Sequence, residues 1–258
     1  MSETRPGYVD SDYLAVVAQM VAPLKQRTYD LMRLQPGCRV LDVGCGSGAD
    51  TIPLAQQIAT AGGVIGVDMD LKMVAVANQQ AKRSKVEAWH YLADGAALPF
   101  ATGTYDACRC ERVFQHLAQP DSVLIEIIRV TKRGGWIVLA DTDHSAESID
   151  TSETDIEWRL RRFRADRYRN GYSGRQLYRR LKLQNLLDVT TEIFPIQASD
   201  YAFERYTSCE SIVEREALAA GVVTEAELER FHTEAEQADA NGAYFAYGAM
   251  LIAAGRKP

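Results

Sequence analysis

The sequence predicts an α/β fold with a doubly wound, mostly parallel sheet of seven strands, preceded by an N-terminal helix and carrying inserted lid helices. Three observations predict it. Segments with strand and helix patterns alternate between residues 39 and 140. The first, second and fifth strand segments are short and nearly continuously apolar, as expected of parallel strands that are buried on both faces. A glycine-rich turn joins the first strand to the helix after it.

The elements of the first half follow from these patterns in order. Apolar residues at helical spacing, from Leu14 to Leu24, predict one helix or two over residues 11–34, ended by Pro36 and Gly37. Strands and helices then alternate. The predicted strands cover 39–43, 64–67, 86–92, 105–110 and 136–140, and the predicted helices cover 49–60, 71–84 and 123–130.

The second half is less regular, because a charged stretch at 145–175 interrupts the alternation. Further helices and strands are predicted after it. The helices cover 175–187, 207–221 and 225–240, and the strands cover 189–195 and 244–254. No internal repeat or low-complexity linker is visible, so the chain is predicted to form one domain over 1–258.

Composition narrows the class of protein. Of the 258 residues, 47% are hydrophobic and 25% are charged, which is ordinary for a soluble globular protein. No apolar run approaches the ~18 residues of a membrane span, and no secretion signal is recognisable. The net charge of −6 argues against a nucleic-acid partner. The five cysteines fit no zinc or disulfide pattern, which indicates reduced thiols and a cytoplasmic location.

The glycine-rich turn reads Val-Leu-Asp-Val-Gly-Cys-Gly-Ser-Gly over residues 40–48. Glycines at Gly44 and Gly46 allow a tight turn and the close approach of a ligand, and the helix start offers free N–H groups. Asp42 lies inside the strand, two residues earlier. A dinucleotide-binding turn would read G-x-G-x-x-G, but position 49 is alanine. A plain tight turn is the alternative interpretation.

Two more carboxylates follow the next two strands. Asp68 ends the second strand, where a carboxylate can accept hydrogen bonds from two ribose hydroxyls. Asp70 is better placed to cap the helix that follows, which leaves Asp68 free for a sugar. Asp94 precedes Gly95 after the third strand and could accept from an adenine amino group; an Asp-Gly turn is the alternative.

This set of motifs, together with the segment Glu-Arg-Val-Phe-Gln-His-Leu at 111–117, resembles class I S-adenosylmethionine-dependent methyltransferases. The resemblance covers residues 36–143 and is strongest to the UbiE-like group that acts on small molecules. It implies a Rossmann-like methyltransferase fold, with a cofactor-binding core at 36–143 and helical acceptor-site covers at 145–175 and 200–240. The residues that it implies for S-adenosylmethionine are Asp42, Gly44, Gly46, Asp68, Met69, Asp94, Gly95 and Glu111, the last of which would lie along the cofactor through its backbone.

The implied function is methyl transfer from S-adenosylmethionine to an oxygen, nitrogen or carbon atom of a small-molecule acceptor. One alternative is a protein that binds S-adenosylmethionine but catalyses a different reaction. Another is a nicotinamide-dependent oxidoreductase, although the turn reads G-x-G-x-G instead of the expected G-x-G-x-x-G, and no Tyr-x-x-x-Lys pair lies on a helix after a middle strand. The sequence leaves the oligomeric state open, a homodimer included.

Candidate catalytic residues lie after the fourth and fifth predicted strands. His144 and His116 could remove a proton from the acceptor near neutral pH, although an exposed loop histidine and a packed one are the alternatives. Asp141 lies on the same loop. Asp141 and Asp143 alone are too few oxygen ligands for a divalent cation, so no metal is expected.

A basic stretch follows at 158–169, with six arginines among twelve residues. It could attract an anionic acceptor. It also fits a solvated lid helix capped by Thr151 or Ser152, with ion pairs from Asp155 and Glu157 to arginines four residues later.

Overall fold

The protein was analysed as a computed structural model, which describes residues 19–58 and 62–258. Its described elements alternate as the sequence predicts. The strands are β1 (Arg39–Val43), β2 (Gly63–Asp68), β3 (Ala88–Leu92), β4 (Tyr105–Glu111), β5 (Thr131–Thr142), β6 (Ser148–Ile149), β7 (Leu187–Ala198) and β8 (Ala246–Arg256). The helices are α1 (Ala22–Leu31), α2 (Thr51–Ile58), α3 (Leu71–Ser84), α4 (Pro120–Val130), α5 (Thr154–Arg167), α6 (Ser173–Leu183), α7 (Tyr201–Thr207), α8 (Glu210–Ala219) and α9 (Glu225–Ala240), with a 3-10 turn at Phe114–His116.

The strands form one sheet in the order β3-β2-β1-β4-β5-β8, and β6 and β7 both pair with β8. β1 to β5 are parallel, and β8 runs antiparallel to β5. The order reverses between β1 and β4, which confirms the doubly wound, mostly parallel sheet. The prediction of seven strands was one short, because the two-residue strand β6 adds an eighth among the described residues. Two residues are too few for a periodic pattern to reveal.

Helices cover both faces of the sheet. One face packs α4 and α6 against the strands through buried residues such as Leu124, Ile127 and Leu181. The other packs α1, α2 and α3, with Leu24 and Leu54 among its buried residues. The side chains of the central strands β1 and β4 are buried on both faces, as expected where helices cover both sides of a parallel sheet, whereas β7 has no buried residue.

A third apolar cluster joins the late helices into one layer. It contains side chains of α5, α7, α8 and α9, together with residues beside β6 and the start of β8. Its buried members include Leu160, Ala217 and Phe231. Helices of the two segments predicted as covers, 145–175 and 200–240, therefore pack against each other. The helix predicted between them, α6, packs on the sheet.

Several predicted boundaries were wrong in instructive ways. The helix predicted over 207–221 is α8, which begins only at Glu210, after Cys209 with its left-handed φ of +54°. The short helix α7 before it was not predicted. β5 is twelve residues long and begins at Thr131, ahead of the predicted Trp136. The predicted helices over 11–34 and 49–60 extend beyond the described residues, which confirm α1 and α2.

Among the described residues, no helix combines the length and the apolar character that crossing a bilayer requires.

Candidate cofactor and acceptor site

The predicted cofactor residues meet at one edge of the sheet. β1, β2 and β3 are parallel neighbours, so Asp42, Asp68 and Asp94 lie in or just after strands that end at the same edge. β4 ends there too, with Cys110 beside Val43. This edge flanks the point at which the strand order reverses, where open α/β sheets bind their ligands.

The glycine-rich turn adopts the backbone conformation that its glycines allow. Gly44 and Gly46 have φ values of +77° and +52°. A Cβ atom on Gly44 would lie 2.2 Å from Val113 Cγ2, so the turn packs directly on the segment after β4. A Cβ atom on Gly46 would meet no atom within 4 Å. The space beside Gly46 is therefore open to a ligand.

Asp68 is held in place by the turn. Its Oδ2 accepts the N–H of Gly46 at 2.9 Å, and its Oδ1 accepts the N–H of Asp70 at 2.9 Å. Each carboxylate oxygen retains a second lone pair for another donor. Asp70 caps α3 through the N–H of Lys72, as predicted. Met69, beside Asp68, is 67% exposed and offers an apolar surface next to that carboxylate.

Asp94 begins a tight turn. Its Oδ1 accepts the N–H of Ala96 at 2.9 Å, and its carbonyl accepts the N–H of Ala97. The amide of Ala96 is therefore engaged within the turn, which leaves Asp94 Oδ2 and the amide of Gly95 as the groups for a ligand. The predicted Asp-Gly turn and the predicted adenine contact are compatible.

The loop after Asp94 is clamped by α4. Glu126 Oε2 accepts the N–H of Leu98 at 2.8 Å, and the guanidinium of Arg129 donates to the carbonyls of Leu98 and Phe100. Glu126 and Arg129 also pair with each other at 2.6 Å. Sequence reasoning missed these two residues, which set the position of the Asp94 loop from a helix about 30 residues downstream.

Asp42 is not an isolated carboxylate, because it pairs with a buried cation. It is 1% exposed, and its Oδ1 lies 3.2 Å from the Nη1 atom of Arg109 on β4. Glu111, whose backbone was predicted to run along the cofactor, has a buried side chain that also pairs with Arg109. Both carboxylates thus belong to a buried ionic cluster under the turn, which the sequence motifs did not reveal.

The carboxylates around the turn make its environment electrically negative. Burial raises the pKa of the Cys45 thiol well above its usual range, and the nearby charges of Asp42 and Asp68 add to the effect. A turn that binds phosphate needs a positive environment instead, because phosphate is an anion. The site therefore suits a ligand with positive charge better than a dinucleotide.

On the acceptor side, a hydrogen-bonded chain joins both predicted histidines. Gln115 lies between them: its Oε1 is 2.9 Å from Nε2 of His144, and its Nε2 is 3.0 Å from Nε2 of His116. The ring of His144 stacks on Tyr168, with centroids 3.9 Å apart, and the ring of His116 is tilted against the same tyrosine at 5.6 Å. Glu147 lies 3.4 Å from His144 Nδ1.

This arrangement has two consequences. His144 is buried rather than an exposed loop residue. Burial lowers the pKa of His116 to about 4, with smaller effects from the charges of His144 and Arg112, so its imidazole is neutral at pH 7. Gln115 and Tyr168 were missed by sequence reasoning, although Gln115 lies inside the motif that contains His116.

Asp141 is wholly buried, and protein donors reach both of its oxygens. Oδ2 accepts from the N–H of Gln115 at 2.8 Å and the hydroxyl of Ser173 at 3.0 Å, and Oδ1 accepts from the N–H of Thr142 at 3.0 Å. Burial raises its pKa to about 6. Asp141 thus joins the 3-10 turn, β5 and α6. Asn170 binds the same turn through the carbonyls of Phe114 and Leu117 and through its own N–H.

Arg112 has a φ of +55°, which is uncommon for a residue with a side chain and marks local strain. It directly follows β4, between the ionic cluster and His116. Its N–H donates to the carbonyl of Ala140 on β5 at 2.9 Å. The strained residue turns the chain from the cofactor edge into the segment that carries both Val113 and His116.

The arginine-rich helix is solvated on one face only, where Arg162 is 62% exposed, and its other face is not an open anion site. Arg161 and Arg164 of α5 are buried and pair with the carboxylates of Glu147 and Glu210. Arg159 pairs with Asp155, as predicted, and with Glu227 of α9. The helix begins at Thr154 after Glu153, so the predicted cap at Thr151 or Ser152 was wrong. Acidic residues from distant segments neutralise these arginines, which local spacing could not show.

Comparison with known proteins agrees with this architecture. Residues 34–179 match the sequence model of a family described as a methyltransferase domain. An arsenite methyltransferase of Aquipseudomonas alcaligenes is 40% identical over 116 residues, which is 42% of this chain and 34% of that protein. A demethylmenaquinone methyltransferase of Renibacterium salmoninarum is 35% identical over 115 residues, 45% of this chain and 46% of that protein. The chain spans about a third to a half of the length of these relatives.

A solved structure shows the same fold. A putative methyltransferase from Bacillus halodurans superposes with a TM-score of 0.63 at 16% identity, covering 91% of this chain and 98% of that one. The matched family region contains the glycine turn, the three strand-end carboxylates and both histidines of the acceptor side. The chain belongs to the methyltransferase-domain family.

Proposed function

We propose that this protein transfers a methyl group from S-adenosylmethionine to a small-molecule acceptor. The observation that carries the proposal is the arrangement of Asp42, Asp68 and Asp94 around an open glycine turn, with the carboxylates of Asp68 and Asp94 beside it. S-adenosylmethionine has an adenosine part for two of these carboxylates and a positively charged sulfonium, which suits a negative site.

The chain's own residues fit this cofactor group by group. Asp68 has unused lone pairs at a fixed position, and we assign it to the ribose hydroxyls. We assign Met69 to the adenine face and Asp94 with Gly95 to the adenine edge. Gly44 and Gly46 border the methionine part, where Gly46 leaves open space. The cofactor, when bound, supplies an already activated methyl group.

A small acceptor is supported by the relatives. Their names give arsenite and demethylmenaquinone as the molecules that those proteins methylate. The described residues of this chain form one sheet with one helical layer at its edge, and that layer would enclose a small acceptor. We propose that the protein acts in the cytoplasm. Measuring its molecular mass in solution tests whether it forms a homodimer.

Catalysis in this proposal is mainly positioning. Alignment of two reactants can be worth ~7–11 kcal/mol of barrier. Asp141 and Asn170 are positioning residues, because they fix the 3-10 turn that carries Gln115 and His116. The stack of His144 on Tyr168 supports the same group of side chains, because His116 also contacts Tyr168.

We propose His116 as the group that accepts a proton from the acceptor, because its imidazole is neutral at physiological pH. Its pKa of about 4 makes it a weak base, so it would contribute less to catalysis than a histidine with an ordinary pKa. An amide nitrogen only donates, so Gln115 makes His116 Nε2 a hydrogen-bond acceptor in the observed orientation. Proton uptake at Nε2 then requires the Gln115 amide to turn its oxygen towards the new N–H. His144 would act through Gln115, as a positioning residue.

Two measurements test the function. Calorimetric titration with S-adenosylmethionine and with NADH at pH 7.5 identifies the cofactor; binding of NADH alone would overturn the proposal. Incubation with methyl-labelled S-adenosylmethionine then follows, with arsenite, a reduced naphthoquinone, phenols, thiols and amines as acceptors. Acceptor-dependent formation of S-adenosylhomocysteine supports transfer. Binding without any such product across the panel would favour a cofactor-binding protein with another activity.

A further inference from the structure

Five charged side chains form a buried ionic cluster directly under the glycine turn. Its members come from four segments: Lys25 on α1, Asp42 on β1, Asp50 just before α2, and Arg109 and Glu111 on β4. All five residues are less than 9% exposed. The resemblance to known methyltransferases concerned Asp42 and the backbone at Glu111, and it did not involve the cations.

Arg109 is the centre of this ionic cluster. Its guanidinium lies 3.2 Å from Asp42 and 3.1 Å from Asp50, and it also pairs with Glu111. One cation therefore serves three carboxylates. Its remaining Nε–H donates to the hydroxyl of Thr28 at 2.9 Å, so Arg109 has little capacity for a further partner.

Lys25 supplies the second cation. Its ammonium lies 2.5 Å from Asp50 and 3.3 Å from Glu111. Tyr29, from the same helix, donates its hydroxyl proton to the other oxygen of Asp50 at 2.5 Å. Asp50 thus has two cationic neighbours and Glu111 has three, with Arg112 as the third, whereas Asp42 forms an ion pair with Arg109 alone among the described residues.

The charges of the ionic cluster do not balance. Three carboxylates face two cations among its five members, and burying an uncompensated charge is costly. At the rim of the site, Nε of Arg112 lies 3.3 Å from Oε1 of Glu111. The side chain of Arg112 is partly exposed, and no ion pair joins it to Asp42. Asp42, which lies two residues before Gly44, is therefore the carboxylate of the ionic cluster that lacks a cation of its own.

We propose that the positive charge of bound S-adenosylmethionine completes this ionic cluster, so that cofactor binding releases a proton that Asp42 holds in the free protein. The inference rests on the proposed function for the identity of the ligand. No new bond forms: the Asp42 carboxyl gives its proton to solvent, and the resulting carboxylate is stabilised by the cofactor's cation.

The acid–base behaviour of Asp42 supports this inference. Burial raises its pKa to about 7, and the charges of Asp50 and Glu111 raise it further against the opposing effects of Arg109 and Lys25. A nearby cation lowers a carboxyl pKa. Below pH 7 the free protein then binds more protons than the complex, and cofactor affinity rises with pH until Asp42 is ionised in both.

The test measures protons as well as affinity. S-adenosylmethionine is titrated calorimetrically between pH 5.5 and 7 in phosphate, MES and imidazole buffers, whose ionisation enthalpies differ. The range stays below the cofactor's own α-amino pKa, about 8 for such groups. We expect release of about one proton at pH 6, and an affinity that falls by up to about tenfold per pH unit below pH 6.5.

Two further ligands locate the responsible charge. S-adenosylhomocysteine lacks the sulfonium but keeps the ammonium, so proton release with both ligands assigns the effect to the ammonium. Release with S-adenosylmethionine alone assigns it to the sulfonium. Methylthioadenosine has neither charge, and we expect it to bind without releasing a proton.

Asp42→Asn identifies the residue. We expect it to abolish proton release while the protein still binds S-adenosylmethionine, and circular dichroism with thermal melting checks that it folds. Asp106→Asn is the matched control, because Asp106 lies at the opposite end of β4 and pairs with Lys132 at 2.6 Å. If Asp42→Asn does not fold, loss of the pH dependence in Glu111→Gln tests the same ionic cluster.

The outcomes separate the two proposals. Binding of S-adenosylmethionine with the same heat in all three buffers would overturn the inference and leave the function intact. Proton release that persists in Asp42→Asn would also overturn it. Failure to bind S-adenosylmethionine at any pH would instead overturn the proposed function.

Discussion

The carboxylate of Asp68 accepts the backbone N–H of Gly46 across 2.9 Å, so the end of β2 holds the glycine turn that follows β1. The two motifs lie more than twenty residues apart in the chain, yet they form one rigid unit at the sheet edge. A change at Asp68 should therefore affect both the turn and any ligand beside it.

Asp68→Ala should weaken S-adenosylmethionine binding by at least about tenfold, since hydrogen bonds to a charged group are worth about 1.5–3 kcal/mol. Calorimetric titration gives the dissociation constant. Asp70→Ala is the control: it removes the α3 cap, which costs about 1 kcal/mol of stability, but leaves the Asp68 carboxylate in place. An Asp68→Ala affinity within twofold of the original would refute the ribose assignment.

Gly44→Ala should destabilise the protein and abolish cofactor binding. The left-handed φ of +77° costs about 1–2 kcal/mol for a residue with a Cβ, and the contact with Val113 adds about 1–3 kcal/mol of overpacking. Denaturant unfolding measures the loss. Adding Val113→Ala should recover only the packing part, because the φ cost remains; complete recovery would show that the conformation is unstrained.

Arg129→Ala should weaken cofactor binding without touching the cofactor. It removes the donors that hold the carbonyls of Leu98 and Phe100, and so loosens the loop that begins at Asp94. We expect a several-fold higher dissociation constant and faster amide hydrogen exchange at residues 94–100. Arg83→Ala, on the exposed surface of α3, is the control and should change neither. Unchanged exchange in Arg129→Ala would rule out the clamp.

Arg164→Met should be strongly destabilising. It leaves Glu210 and Glu147 buried with less compensation, and breaking a buried ion pair by removing one partner costs about 3–5 kcal/mol. Arg162→Met, whose side chain is 62% exposed, should cost less than about 1 kcal/mol. Chemical denaturation compares the two. Equal small effects would mean that the α5 arginines are solvated after all.

The imidazole of His116 should remain neutral from pH 5.5 to 8, because burial lowers its pKa to about 4. The unfolded chain has the ordinary histidine value, so it binds more protons between pH 6.5 and 4, and this group's contribution to stability is lost as the pH falls through that window. Nitrogen-15 NMR of the four histidines gives the titration curves, and His116→Gln assigns the signal. A midpoint near 6.5 would contradict the buried state.

The order of strands and helices could be predicted from sequence because each element leaves a local pattern. Apolar runs of five or six residues predict the strands, and Gly44 and Gly46 predict the turn. Both signals lie within a few neighbouring residues of the chain. Helix ends were less predictable. The left-handed residue at Cys209, for instance, separates α7 from α8 without a glycine or proline to indicate it in the sequence.

The residues of the site also divide into those that the sequence predicts and those that only the structure reveals. Asp42, Asp68 and Asp94 could be found from the sequence, because each lies in the last residues of a strand or just after one, and these strands are neighbours in a parallel sheet. The partners of Asp42 could not. Arg109 lies 67 residues away, and only the pairing of β1 with β4 brings the two together.

The amino-acid sequence thus determined the sheet, the glycine turn and the strand-end carboxylates, since these depend on short-range spacing and on a topology with few alternatives. Only the tertiary structure decided how the charged and polar side chains are paired. It shows which arginines are buried with glutamates, which histidines share Gln115, and how few cations lie beside Asp42. Electrostatic interactions depend on distance in space and on burial, and neither is written in the local order of residues.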